Sequence, residues 1–477
     1  MDSNEVSLLP KKGGKLVLTI DEAYDMAGGH GCYQYVVAIA VSLAVFTNIF
    51  YLFSIPLFLV FPVVLDENGK RFEDSDTACA SPYRYYQDPE FNYITEYDLL
   101  CNQFKASIIP STFQIGFMIA SLTLSNIIDR LGRIPILLLE QCGIVLSLSG
   151  LIFFNSYTTC IIFTGLCGFF SFFPLCYTFA YDSNNSKYVG FYSSYIGITY
   201  AVGEILVVGV MWLGIKWRIA CLVMIMPCIL FLIFPWFIEE SPRYKYSKGR
   251  LNAAIRTFER IAKFNGRVFT SDFTLKDESE TSTKAVSFCE QLRLLCQGWI
   301  VIRLIICGFL FFTCGFIYYG FSLNVHKFIG NTYLNALFNG IAEIIGVSLA
   351  FILSKYKGIR IPLLLSYVIT CFALIIQHWQ RDHQVITNSA MYVGKFSVSS
   401  SFTMVYMLGG ELFPTAINST CLALLALCES LGAILSPILG DYEIIFMIIS
   451  IICSFVAAFA VVVLYYILRK KKASTDQ

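Results

Sequence analysis

The sequence predicts an all-α membrane protein whose twelve transmembrane helices form two pseudo-symmetric six-helix bundles. Three observations carry that expectation. The chain of 477 residues is 56% hydrophobic and only 14% charged, with 42 phenylalanines and a mean hydropathy of +0.66, far from the balance of a water-soluble domain. Apolar runs of about 18 or more residues recur along it, each long enough to cross a hydrocarbon core of about 30 Å as a helix. Finally, "GRIPILLL" at 132–139 is echoed by "GIRIPLLL" at 358–365, with Arg133 and Arg360 both followed by Ile-Pro, so one half of the chain resembles the other.

The elements follow in order. The first 30 residues contain no apolar core of the kind that marks a cleaved leader, and in the N-terminal segment 1–34 the stretch "LTIDEAYDMAGGHGCYQ" at 18–34 reads as a polar segment before a retained first helix. The N-terminal bundle is expected over 35–238, with spans at 35–60, 106–128, 134–155, 157–181, 190–213 and 217–238 and an outer loop at 66–105. A polar insert covers 239–298. In it Leu251, Ala254, Ile255, Phe258 and Ile261 recur at helical spacing and Asn265-Gly266 supplies a stop, which predicts an amphipathic helix lying against one end of the bundle. The following "SDFTLKDESETSTKAV" has no period and is expected to be mobile. The C-terminal bundle is expected over 299–468, with spans at 299–323, 331–353, 361–379, 387–412, 419–440 and 442–468, and a tail at 469–477.

Lysine and arginine orient the chain. With both termini in the cytosol, about 24 of these residues fall in cytosolic segments and about 8 in outer ones, as the positive-inside rule requires. Of the 17 cysteines, only Cys79 and Cys101 lie in the outer loop, so that loop can hold one disulfide at most; the rest read as small apolar packing residues. The sequons at Asn184 and Asn418 map to cytosolic turns and are expected to stay unmodified. No phosphate-binding loop, metal-ligand cluster or catalytic constellation is present, and His30, His326, His378 and His383 fall near membrane edges or in loops. The expectation is therefore a non-enzymatic protein with no cofactor and no metal, whose partners are the bilayer and a small solute rather than nucleic acid.

Charges inside the spans are the informative residues, because an ionised carboxylate near the bilayer centre costs several kcal/mol unless it is paired, hydrated or protonated. Glu204 in the fifth span, Glu343 in the eighth and Glu429 in the eleventh are the deepest acids, against one deep lysine, Lys395, in the tenth. Three acids against one base tilt a central cavity towards cations. The competing reading is that each acid pairs inside the bundle and never meets a solute. Tyr318, Tyr319 and Tyr406 can add cation–π attraction of about 0.5–2 kcal/mol, with Tyr200 and Trp212 as secondary candidates.

"IDEAYDMAGGHGCYQ" before the first span, "YITEYDLLC" closing the outer loop, "DRLGR" after the second span, "ESPRYKYSKGRLNAA" after the sixth, "YYGFSLNVHKFIGNTYLNALFNGIAE" at 318–343 and "GELFPT" at 410–415 come in a specific order and spacing. On these segments the chain resembles the organic ion transporter family (organic cation, anion and carnitine transporters) of the major facilitator superfamily. The resemblance implies alternating access and a cytosolic clasp built from Asp129, Arg130, Gly132 and Arg133, the acids Asp182 and Glu411, Glu239 and Arg243 after the sixth span, and Arg360. It also implies substrate contacts at the paired Tyr318 and Tyr319, at the usual acid Glu343, and near Ser430, which stands where the family separates charge classes, with Glu429 beside it.

The chain departs from the family pattern at several points. Val189 and Asn418 occupy positions where the family has arginine, Ser354 stands for an aspartate, Ser125 for a glycine, and Glu204 for a more usual glutamine. Lys187 is a substitute on the first side only. A weaker cytosolic lock is expected, with either a more populated inward-open state or an impaired transport cycle. The function so implied is transport of organic cations or zwitterions by facilitated diffusion or exchange, with proton or counter-ion coupling through Glu204 or Glu429 left open. Two rivals stand beside it: an organic anion exchanger using Lys395, Arg303 and the cytosolic arginines, and a non-transporting accessory subunit or sensor. The plasma membrane is the expected location, an internal membrane the alternative, and oligomeric state is not legible.

Overall fold

Long apolar segments punctuated by glycine and proline become helices because within lipid a helix satisfies every backbone polar group inside its own segment. The computed structural model describes residues 11–12, 15–72, 75–88, 90–268, 273–275, 297–380, 383–413 and 417–475. Its N-terminal half contains α1 (Cys32–Phe58), α2 (Gln103–Leu131), α3 (Arg133–Phe153), α4 in two pieces (Tyr157–Phe170 and Pro174–Asp182), α5 (Val189–Trp212) and α6 (Trp217–Phe231). The C-terminal half contains α7 (Gly298–Leu323), α8 (Thr332–Lys357), α9 (Arg360–Trp379), α10 (Gln384–Leu412), α11 (Asn418–Leu439) and α12 (Glu443–Thr475). The halves meet where α5 packs on α8 and α2 on α11.

Among the described residues, eleven helices are long and apolar enough to cross a membrane. The remaining long helix, α10, carries Lys395 and the serines 397, 399, 400 and 401, all buried. Ser400 donates to the Gly346 carbonyl at 2.7 Å and Ser397 bonds Thr370 at 2.8 Å. Its polar face is turned to protein rather than lipid, where hydrogen bonds offset the cost of burial.

The echoed motif marks equivalent corners. Gly132, with φ of +105°, joins α2 to α3, and Gly358, with φ of +72°, ends α8 just before α9. Both lie in the left-handed region that favours glycine.

The structure departs from expectation in several places, among them the last helix, which runs on to Thr475 through most of the expected tail. The loop between α1 and α2 runs over 59–102 rather than 66–105. The fourth span is broken at 171–173, because Pro174 has no amide hydrogen to continue the helical ladder. Part of the segment expected to be mobile is ordered: Phe273–Leu275 pairs in parallel with Lys15–Leu18, which also pairs antiparallel with Lys11–Lys12. The rest of that segment lies outside the described residues.

The 59–102 loop is tied down by the Cys79–Cys101 disulfide and by Arg218, which donates to both Glu96 oxygens at 2.7 Å. At the opposite end of the bundle, a helix over Ile20–Met26 starts with a Thr19/Glu22 capping box. The amphipathic helix Leu251–Phe264 buries Ala254, Phe258 and Ile261 and stops at Asn265. Asn265 then acts as a latch. Its Oδ1 accepts from the Tyr33 amide at 2.8 Å, and its Nδ2 donates to the Ala27 carbonyl at 2.9 Å and to Gln34 Oε1 at 3.2 Å. Asn265→Ala should cost about 1–3 kcal/mol locally, read as faster amide hydrogen exchange over residues 27–34 and 251–264.

Candidate functional site

A cavity of about 590 Å³ lies between the two halves. Eight rings line it: Phe173 and Tyr177 of α4, Tyr200 of α5, Tyr318 and Tyr319 of α7, Phe351 of α8, and Phe402 and Tyr406 of α10. Glu343 is the charged residue of the wall. The break in α4 places Phe173 beside Tyr200, their ring centroids 5.6 Å apart. Gly190, at the start of α5, and Phe351 and Met407, near the ends of α8 and α10, extend the lining towards the end that carries the amphipathic helix.

Behind the wall sits a buried ion pair. Lys395 Nζ is 2.7 Å from Glu343 Oε2, and Tyr318 donates its hydroxyl to the Glu343 carboxylate at 2.8 Å from either oxygen. The Lys395 ammonium lies 3.6 Å from the Tyr318 ring centroid and donates to Ser322 Oγ at 2.6 Å. It is completely buried. A buried pair persists only where further hydrogen bonds satisfy the remaining polar atoms, and Tyr318 and Ser322 meet that need here.

Of the eight residues the sequence nominates for substrate contact, Tyr318, Tyr319, Glu343 and Tyr406 line the cavity. Lys395 is one layer behind, committed to Glu343. Glu204 of α5 is 3% exposed and is not part of the lining. Glu429 also lies behind the wall, accepting a short hydrogen bond of 2.5 Å from Tyr406, and its backbone crosses against Gly315 of α7. Ser430 bonds the Ala426 carbonyl of its own helix and is not part of the lining. Sequence reasoning missed Phe173, Tyr177, Phe351 and Phe402. The available signal was aromatic spacing, since Phe173/Tyr177 and Phe402/Tyr406 are both i,i+4 pairs and so share a helix face. It also missed Glu140 of α3, a fully buried acid beside Asn48 of α1 and away from the cavity.

The clasp residues separate by half. Arg133 Nε pairs with Asp182 at 2.7 Å, its guanidinium stacks on the Tyr244 ring at 4.5 Å, and Tyr244 donates to the Arg130 carbonyl at 2.9 Å. The amides of Arg133 and Ile134 donate to Glu240 at 2.8 and 3.1 Å, so this carboxylate sits at the start of α3, where negative charge is favoured. Burial nevertheless holds the Glu240 carboxyl above its ordinary range, against those amide bonds. Glu239 pairs with Lys245 and Arg260, and Arg243 with Asp21 at 2.9 Å. Lys187 pairs with Asp25 at 2.8 Å. Glu240 and Asp21 were not foreseen. The Asp129, Val189 and Asn418 side chains lie outside the described residues.

The C-terminal half has no matching ion pair among the described residues. Arg360 is exposed over the Tyr465 ring at 5.9 Å, and Glu411 is exposed without a described partner. Arg303 instead donates to the Leu412 carbonyl at the end of α10, at 3.1 Å, and packs on Trp299.

At the disulfide-loop end the halves are joined. Ser107 of α2 donates to Asp441 at 2.6 Å, Lys327 pairs with Asp441 at 2.7 Å and approaches Ser107 at 3.4 Å, and Ser111 donates to the Ile434 carbonyl at 2.9 Å. None of the described ion pairs joins the halves at the amphipathic-helix end. The halves are therefore tied together at the disulfide-loop end, and the cavity lining runs towards the other.

Two six-helix bundles with a cavity between them form an architecture of the kind that secondary transporters have. The family model of the Major Facilitator Superfamily matches residues 37–437, and the chain belongs to that superfamily. It is 27% identical to "Solute carrier family 22 member 6" of Mus musculus, over 73% of this chain and 65% of that one. It is 28% identical to member 21 of Mus musculus, over 76% and 67%, and 23% identical to member 3 of the same species, over 76% and 66%. The chain thus spans slightly less than two thirds of the member 6 relative. Among solved structures, the proton:xylose symporter XylE bound to 6-bromo-6-deoxy-D-glucose superposes with a TM-score of 0.66 at 15% identity, covering 91% of this chain and 95% of that one. The inward-open xylose transporter XylE from E. coli gives 0.60 at 14% identity, covering 89% and 94%. These structural likenesses bear on the fold alone.

Proposed function

We propose that this protein is an alternating-access transporter of small organic cations, with the amphipathic-helix end and both termini in the cytosol and the disulfide-loop end outside, in the plasma membrane. The observation that carries the reading is the cavity itself: eight aromatic rings around one carboxylate. Aromatic faces attract a desolvated organic cation, and the charged side chain on the lining is a carboxylate. The solute carrier family 22 relatives support transport as the activity. An anion-exchange reading needs Lys395, which is fully buried and bound to Glu343 and Ser322, and Arg303, which is spent on the end of α10.

Purified protein in liposomes, offered labelled organic cations and organic anions in parallel, tests this. Saturable uptake of cations, competed by other cations and not by anions, is expected. Saturable anion uptake would reverse the charge assignment, and no uptake by folded protein would favour a non-transporting role.

A further inference from the structure

The amphipathic helix Leu251–Phe264 spends its apolar face on the bundle, and its opposite face is left over. On that face Arg256, Arg260 and Lys263 are exposed at spacings of four and three, which puts them on one line along the helix. Arg267 continues the line past the helix end, held there by a Schellman turn. The amide of Gly266, a residue with φ of +67°, donates to the Lys263 carbonyl at 3.1 Å, and the Arg267 amide donates to the Ala262 carbonyl at 2.8 Å. Of the four bases, Arg260 pairs with Glu239, while Arg256, Lys263 and Arg267 have no ion pair among the described residues. The helix itself carries one acid, Glu259, which is partly buried.

Two landmarks set the level of this stripe. Arg260 is held by Glu239, three residues after Trp236, which ends the sixth span and is 87% exposed, with Phe237 exposed beside it. Exposed aromatic residues at the end of a spanning helix sit at the headgroup level of a bilayer. The second landmark is the start of α1. Asn265 accepts from the Tyr33 amide at 2.8 Å, and the exposed Phe264 ring packs 5.9 Å from the Tyr33 ring. Residues 260 and 265 are about 7.5 Å apart along a helix axis, so the stripe passes between the place where the sixth span ends and the place where the first begins. Val268, 97% exposed, follows Arg267 at the same corner.

We infer that this face is a docking surface for the anionic phospholipid headgroups of the surrounding bilayer, held by Arg256, Lys263 and Arg267, with Phe264 and Val268 against the apolar boundary. Charge complementarity selects the occupant. Three bases without an acid partner, presented by an ordered helix at headgroup level, attract a net negative surface, and arginine matches phosphate oxygens with two parallel donors. A zwitterionic headgroup carries as much positive charge as negative and gains far less. The helix is latched to α1 through Asn265 and to the end of the sixth span through Glu239, so bound lipid secures the N-terminal half at this surface.

The inference does not depend on what the cavity carries, and binding alone tests it. Labelled phosphatidylserine, and labelled phosphatidylcholine in parallel, are titrated into the purified full-length protein in neutral detergent micelles, while amide hydrogen exchange is followed over 251–268. Each base near an anionic surface is worth about a factor of five, so three predict a preference for phosphatidylserine of about a hundredfold at low salt. The preference should collapse at high salt, and exchange over 251–268 should slow with phosphatidylserine alone. A triple variant, Arg256→Gln, Lys263→Gln and Arg267→Gln, keeps good helix formers and the Arg260–Glu239 pair; it should lose the preference and the slowing. Equal affinity for the two lipids in the wild-type protein would overturn the inference, whether or not the variant folds. A preference that the folded variant retains would place the lipid elsewhere and overturn it as well. Slowing reproduced by inorganic phosphate at the same concentration would reduce the stripe to a site for free anions, and slowing by polyglutamate with no preference between lipids would assign it to an acidic protein instead.

Discussion

Glu343→Gln should abolish saturable cation uptake and destabilise the protein by about 3–5 kcal/mol, the usual cost of stranding one member of a buried ion pair. The reason is Lys395. Its ammonium is completely buried, and Glu343 is the carboxylate at its side, 2.7 Å away. Glutamine fills the same space and still meets the Tyr318 hydroxyl, but it cannot balance the charge. A double variant, Glu343→Gln with Lys395→Met, removes both charges and should recover most of the lost stability without recovering uptake. That non-additivity is the signature of a direct pair. Thermal unfolding in detergent and uptake in liposomes read the two effects separately. Equal losses of stability in the single and double variants would show that the pair does not act as a unit.

Asp441→Asn should loosen the disulfide-loop end of the molecule. Asp441 accepts from Ser107 of the other half and pairs with Lys327, and its side chain is only 8% exposed. Hydrogen bonds to a charged group are worth about 1.5–3 kcal/mol each, so loss of the carboxylate should shift the equilibrium between closed and open at this end by about tenfold or more. The expected result is faster amide hydrogen exchange over 103–111 and 434–441, with exchange around Arg133 and Asp182 slowed or unchanged. Unaltered exchange at 103–111 would mean that Asp441 does not hold the halves together. The asymmetry of the clasps gives this prediction its force: Arg133, Asp182 and Glu240 lock the N-terminal half within itself, while Arg360 and Glu411 are exposed in the C-terminal half.

Much of the fold was legible in the sequence because it depends on local rules. The glycines at 132 and 358 mark turns wherever the chain folds, and the apolar spacing of Leu251–Phe264 with its Asn265 stop depends on nothing outside that segment. The break in α4 was also in view at Pro174, but the apolar run over 157–181 reads as one span if length alone is weighed. The site was only partly legible, because pairing is a property of three dimensions. Nothing at position 395 says that its ammonium meets Glu343 rather than a solute, and nothing at 429 says that Tyr406 stands between that acid and the cavity. Asp21 and Glu240 escaped notice for a related reason: acids in polar segments look like solvated charge until Arg243 and the first amides of α3 are seen to reach them.

Equilibrium binding of a labelled organic cation to the purified protein in detergent, with a labelled organic anion as the parallel probe, tests the cation assignment of the cavity without requiring a complete transport cycle. The aromatic and carboxylate lining predicts saturable cation binding that other cations displace and that Glu343→Gln removes. Saturable binding of the anion, with the cation excluded, would contradict it.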